Sequence, residues 1–153
     1  MADIFEYQED RTYFEDLLYS AGGLEKNRDL FDFRPPKIKR DEFNRIRKKI
    51  LSELIDQYGN ICQLACHEDC ATSADEVDHL IPLSSNVLNK ELRHQKGKDG
   101  KKVPTQSFGS NSARNLLLSC RRCNAFKKNK MPSQALILER LAKVRISNID
   151  KPT

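Results

Sequence analysis

The sequence predicts an α+β protein in which a small, cysteine-bearing core with short strands lies between helical segments. Three observations carry this reading. Apolar residues recur at helical spacing from 41 to 58, two short β-like runs occur at 77–83 and 116–119, and all five cysteines fall between Cys62 and Cys123. The chain divides accordingly into a helical N-terminal extension with a basic helix (1–58), a core (59–132) carrying a long insertion at 86–112, and a C-terminal helix and tail (133–153). A length of 153 residues suits one modest core better than two.

Taken in order, Ile4, Phe5, Tyr13, Phe14, Leu17 and Leu18 are set among acids as in a short amphipathic helix over 4–19, which Gly22 and Gly23 stop. Pro35 and Pro36 mark a linker. Asp41 then stands where an N-cap is expected. After it, Phe43, Ile46, Ile50, Leu51, Leu54, Ile55 and Tyr58 share one face, and Gly59 ends the helix. The opposite face carries Arg45, Arg47, Lys48 and Lys49, so this helix can pack by one side and meet phosphate with the other. Val77–Leu83 and Leu116–Ser119 read as strands. Between them 86–112, with Gly97, Gly100, Pro104 and Gly109, reads as a long polar loop, a length that points to a functional or mobile segment. Residues 124–130 read as a helix ending before Pro132. Ser133 then caps a last amphipathic helix bearing Leu136, Ile137, Leu138, Leu141 and Val144.

No apolar run approaches the roughly 18 residues of a membrane span. The first sixteen residues mix Asp3, Glu6, Glu9, Asp10, Glu15 and Asp16 with aromatics, unlike a secretory leader, so a cytoplasmic location is expected. The net charge of +5 points to an anionic partner. It is concentrated in three runs: Lys37 to Lys49, Lys96 to Lys102, and Arg121, Arg122, Lys127, Lys128 and Lys130.

Cys120-Arg121-Arg122-Cys123 is a two-residue knuckle that turns two thiolates toward one ion. Two thiolates from about fifty residues upstream complete a tetrahedral four-cysteine set, expected to hold a structural Zn²⁺. Cys62 is the first choice upstream, since it follows the helix end and begins the first β-like run. The spacing leaves open whether Cys66 or Cys70 is the fourth ligand and which is spare, and His67 is a further candidate. Four protein ligands leave no position for substrate, so this zinc would join two chain segments without activating water.

Glu76-Val77-Asp78-His79-Leu80-Ile81-Pro82-Leu83 sets an acid beside an imidazole at a strand end. The carboxylate suits a hard divalent ion and the neutral imidazole suits proton abstraction. The second half of the pattern is Asn115-Leu116-Leu117-Leu118-Ser119-Cys120-Arg121-Arg122-Cys123-Asn124-Ala125-Phe126-Lys127. Together the two stretches resemble the HNH endonucleases of the ββα-metal class. The shared features are an Asp-His pair before Ile-Pro-Leu, an Asn-Leu-x-Leu strand, a Cys-x-x-Cys knuckle, a terminal His or Asn, and a Lys three residues further on. They run from about Cys62 to Lys130, under half the chain.

The resemblance implies a ββα-metal nuclease core in which His79 is the general base. It makes Asp78 and Asn124 ligands of one catalytic Mg²⁺ or Mn²⁺, and Asn115 the residue that braces the loop bearing the base. The third signature position is often histidine and in some members asparagine; here it is Asn124, a harder ligand that favours Mg²⁺ or Mn²⁺ over softer metals. The expected partner is double-stranded DNA. Phosphate contacts are expected from Arg45, Lys48, Lys49, Lys90, Arg93, Arg121, Arg122, Lys127 and Lys128, and the 89–112 loop is expected to order on DNA. A compact nuclease module suits restriction or phage defence. A double-strand cut would need a homodimer or two successive events. The rival reading is a non-catalytic, zinc-stabilised nucleic-acid-binding module, which has no need of Asp78 beside His79 or of Asn124 after the knuckle.

Overall fold

The computed structural model describes residues 5–83, 87–95, 106–127 and 131–150. The architecture is α+β: helices surround a small two-stranded antiparallel sheet.

Helix α1 (Gln8–Leu18) starts with Glu9 and Asp10 in its first turn, where acids complement the helix dipole. A 3-10 turn, Tyr19–Ala21, extends it, and Gly22 closes it at φ 105°, a left-handed conformation that glycine adopts without steric cost. Phe14, Leu17 and Leu18 are buried. Helix α2 (Pro36–Tyr58) begins five residues before the predicted cap. Pro36 occupies its first turn, where a missing N–H costs nothing, and Asp41 therefore lies inside the helix. Gly59, at φ 86°, ends it, and its N–H reaches the Ile55 carbonyl at 2.8 Å.

Strand β1 (Glu76–His79) pairs with β2 (Leu116–Ser119) in the register Glu76 to Ser119, Val77 to Leu118, Asp78 to Leu117 and His79 to Leu116. β1 is shorter than the predicted 77–83. The Leu80 N–H still meets the carbonyl of Asn115, its partner in register, but the Ile81 N–H goes to the side-chain Oδ1 of Asn115 and Pro82 has no N–H to give, so the ladder ends there. β2 is fully buried because it is covered on both faces. Leu116 and Leu118 pack with Phe43, Ile50, Leu51, Leu54 and Ile55 of α2, and Leu117 joins a second cluster with Phe14, Leu18, Leu30, Leu80, Phe108, Ile137 and Leu141. This larger cluster draws on the N-terminal helix, the cysteine-bearing segment and the C-terminal helix together.

Two helices follow β2, α4 (Arg121–Lys127) directly after it and then α5 (Gln134–Asp150). Ser133 Oγ accepts the Leu136 N–H at 3.2 Å, the predicted cap of α5. The stretch 86–112 is not simply a loop. It contains a short helix, α3 (Val87–Leu92), with Leu88 buried, and 106–110 is anchored in the fold, with Phe108 in the core and Gly109 bridged to Phe31. Lys96, Lys98, Lys101 and Lys102 lie outside the described residues. No helix among the described residues is long and apolar enough to cross a membrane.

Candidate functional site

Two sites emerge, one of thiols and one of oxygens and imidazole. The Sγ atoms of Cys62, Cys70, Cys120 and Cys123 all lie within 4.8 Å of one another. A tetrahedral ion with bonds of about 2.3 Å to sulfur sets its ligands about 3.8 Å apart, and Cys70 and Cys120 already stand at 3.9 Å. Backbone N–H groups point at these sulfurs: Ala65 and Cys120 at Cys62, Cys123 at Cys120, and Thr72 at Cys70, at 3.2–3.4 Å. Such donors favour the thiolate, and the N–H groups of Ala71 and Cys123 pull the Cys120 thiol down to about 6, whereas burial pushes Cys62 up, and Cys70, against its Thr72 donor, is pushed up to about 12 by burial with the neighbouring thiols. The four can hold a metal ion such as zinc. Cys66 is exposed and outside the set, its thiol 3.7 Å from the Cys123 carbonyl oxygen. His67 is also outside, its ring against Phe126.

The second site follows from the alternation of β1. Glu76 and Asp78 face α4, whereas Val77 and His79 face α2. Glu76 Oε2 accepts a hydrogen bond from Asn124 Nδ2 at 2.6 Å, and Arg121 lies 3.4 Å from the other carboxylate oxygen. Because the amide nitrogen of Asn124 is held by Glu76, its oxygen is the atom left for a cation. Asp78 Oδ2 lies 2.9 Å from Lys127 Nζ, and neither buried atom makes a hydrogen bond of ordinary geometry. The groups near Asp78 are thus a carboxylate paired with an ammonium and, one turn of α4 away, an amide whose oxygen is left free by Glu76.

His79 is buried, with its ring edge-on to Phe43 at 4.6 Å and its Nε2 2.8 Å from Asn111 Oδ1. Burial holds its pKa below the ordinary imidazole value. The Asn111 hydrogen bond and the Asp78 charge oppose that shift, and Lys127 and Lys39 add to it. Asn115 is completely buried. Its Oδ1 accepts from the Ile81 N–H, and its Nδ2 donates to the carbonyls of Ile81 and Ser110 at 3.0 and 2.8 Å, so it ties down the turn that follows His79.

A cleft of about 660 Å³ runs between α2, β1 and α4. Asp78, His79, Glu76 and Asn124 line one side, and Arg40, Asn44, Arg47 and Lys48 line the other. Arg47 and Lys48 thus share the cleft-facing side of α2 with Phe43 and Leu51, a correction to the reading that set them on the opposite face, because positions three and four apart on a helix are neighbours.

The predicted phosphate contacts separate accordingly. Lys48 and Arg121 line the cleft; Arg45 and Lys49 are exposed but do not, and Lys49 stands 4.0 Å from Glu53. Arg122 is exposed, 3.8 Å from Asp69. Two expectations are corrected. Arg93 is turned inward, bonded to Asp10 and Glu9 and stacked over Tyr7, because fully buried Asp10 requires a counter-charge. Lys127 is buried against Asp78, leaving it no free ammonium for phosphate. Lys39, part of the first basic run, is also buried and donates to the carbonyls of Asp32 and Gly109. Lys90 lies on α3; Lys128 and Lys130 fall outside the described residues. Sequence reasoning missed Glu76 as a partner of Asn124, although its position two residues before Asp78 on a strand puts both on one face.

No family model, no curated protein and no solved structure matches this chain.

Proposed function

We propose that the protein is a metal-dependent DNA endonuclease of the HNH type. The observation that carries this reading is the meeting, across one cleft, of His79, Asp78 and Asn124 with the cations Arg40, Arg47 and Lys48. His79 is the general base that takes a proton from the attacking water, a task suited to an imidazole kept neutral by burial. Asp78 and Asn124 hold Mg²⁺ or Mn²⁺, which when bound neutralises charge on the phosphate and the leaving oxygen. Arg40, Arg47 and Lys48 grip phosphates of the strand, which is DNA in this reading. Zinc on Cys62, Cys70, Cys120 and Cys123 joins the turn after α2 to the knuckle and so fixes β2 and α4 relative to β1.

The Asp78–Lys127 ion pair favours a second reading, a non-catalytic zinc-stabilised nucleic-acid-binding module, because a carboxylate already matched by an ammonium has less need of a metal. Incubation of supercoiled plasmid with zinc-loaded protein in Mg²⁺, Mn²⁺ or EDTA separates the two. Metal-dependent nicking that falls by roughly 10²-fold or more in His79→Ala of matched zinc content supports the nuclease. DNA binding without cleavage by the wild-type protein supports the module.

A further inference from the structure

Asn111 stands 32 residues from His79 in sequence, and its side chain bridges two fixed points. Its Nδ2 donates to the Lys39 carbonyl at 2.9 Å, and its Oδ1 lies 2.8 Å from His79 Nε2. The carbonyl of Lys39 can only accept, so the amide cannot be turned over without setting two oxygens against each other. An acceptor therefore faces Nε2, and Nε2 must carry the proton. Nδ1 has no hydrogen-bond partner among the described residues, and the ring lines the cleft.

The segment that carries Asn111 is braced from several directions. Phe108 is in the core, the Gly109 N–H reaches the Pro82 carbonyl at 3.1 Å, and the Ser110 N–H reaches the Leu30 carbonyl at 3.0 Å. Asn115 Nδ2 holds the Ser110 carbonyl, and the buried Lys39 ammonium holds that of Gly109 at 2.7 Å. Gly109 approaches the turn after His79 so closely that a Cβ there would stand 1.9 Å from the Ile81 carbonyl oxygen. The far end of the 86–112 insertion is thus a strap clamped against the back of His79, and Phe43 closes the other side of the ring.

We infer that Asn111 is the positioning residue of His79: its side-chain carbonyl holds the imidazole in the Nε2–H tautomer and leaves Nδ1 as the atom that takes the proton. The role in proton transfer rests on the nuclease reading. The tautomer does not, and it is measured without any turnover.

The zinc-loaded protein, labelled with ¹⁵N in its histidine rings, is compared by long-range proton–nitrogen correlation at about pH 8, well above the ordinary imidazole pKa. His79→Gln subtraction assigns the signal among the three histidines. The wild-type protein is expected to show a protonated Nε2 and a bare Nδ1. Asn111→Ala should show a tautomer mixture with kcat reduced roughly 10²-fold and KM little changed, and Asn111→Asp, which keeps an acceptor, should recover the Nε2–H signature. A wild-type Nδ1–H tautomer, or a wild-type pattern that persists in a folded Asn111→Ala, overturns the inference. If the expected signature appears but no DNA is cut, the nuclease reading fails and the tautomer assignment stands.

Discussion

Lys127 Nζ lies 2.9 Å from Asp78 Oδ2 with both side chains almost removed from solvent, at 4% and 12% exposure. Each is the other's counter-charge, and removal of one leaves an uncompensated charge in the interior. Lys127→Met is therefore expected to lose about 3–5 kcal/mol of stability. Asp78 then lacks its cation, so Mg²⁺ should raise the melting temperature of Lys127→Met by more than it raises that of the wild-type protein. Equal Mg²⁺ responses in thermal melts of the two proteins would sink this account of Asp78 as a cation site.

Cys70 and Cys66 are both upstream candidates for the fourth thiolate, and the geometry separates them. Cys70→Ser should release the metal, whereas Cys66→Ser should keep one zinc per chain. A loss of even about 3 kcal/mol with the metal lowers Tm by roughly 6–12 °C at this chain length. Zinc content by elemental analysis, read beside the melts, decides it. A zinc-replete Cys70→Ser protein with an unchanged melt would contradict the assignment.

Arg47 and Arg93 make a contrasting pair. Arg47 is exposed along the cleft, and Arg47→Ala should weaken DNA binding and reduce the slope of log affinity against log salt by about 1. Arg93→Ala should leave that slope alone and instead cost about 3–5 kcal/mol, because it strands the buried Asp10. Binding isotherms at several salt concentrations, with denaturant unfolding, test both. A reduced salt slope in folded Arg93→Ala would count against its structural role.

Lys39 is pushed down from 10.5 to about 8, chiefly by burial, while Asp32 pulls it back up and Arg34 adds to the lowering. Between those two values the unfolded chain holds more protons than the folded one. Stability from this group therefore rises with pH from about 8 to 10.5, and below about 8 the burial of the charge is felt in full. Lys39→Met also leaves the carbonyls of Asp32 and Gly109 without their donor and should be less stable than wild type throughout. The gap between the two proteins should widen as pH climbs through that window, measured by denaturant midpoints. A constant or narrowing gap would refute the shift.

Local chemistry was legible where neighbours in sequence are neighbours in space. The Asp78-His79 pair, the Cys120 to Cys123 knuckle, the helical face from Phe43 to Tyr58, the cap at Ser133 and the stop at Gly59 each depend on a few consecutive residues. Asn111 and Glu76 were read past for different reasons. Glu76 needed the strand alternation to be followed one step back, whereas nothing near Asn111 in sequence announces a histidine. The basic runs misled in part, because a lysine in a charged run can be drawn inward wherever buried carbonyls or a buried carboxylate need a donor, as Lys39 and Lys127 are.

By itself, then, the sequence determined the α+β composition, the two β-like runs, the cysteine cluster and the residue types at a candidate catalytic pair. Those features rest on periodicity, spacing and side-chain chemistry, which are local. Only the tertiary structure decided that Cys70 stands with Cys62, Cys120 and Cys123, that Arg40 and Arg47 share a cleft with His79, and that Arg93 and Lys127 are occupied by Asp10 and Asp78. Each of those outcomes joins residues tens of positions apart, and the burial that sets which charge is matched and which is left free arises only when the whole chain has packed.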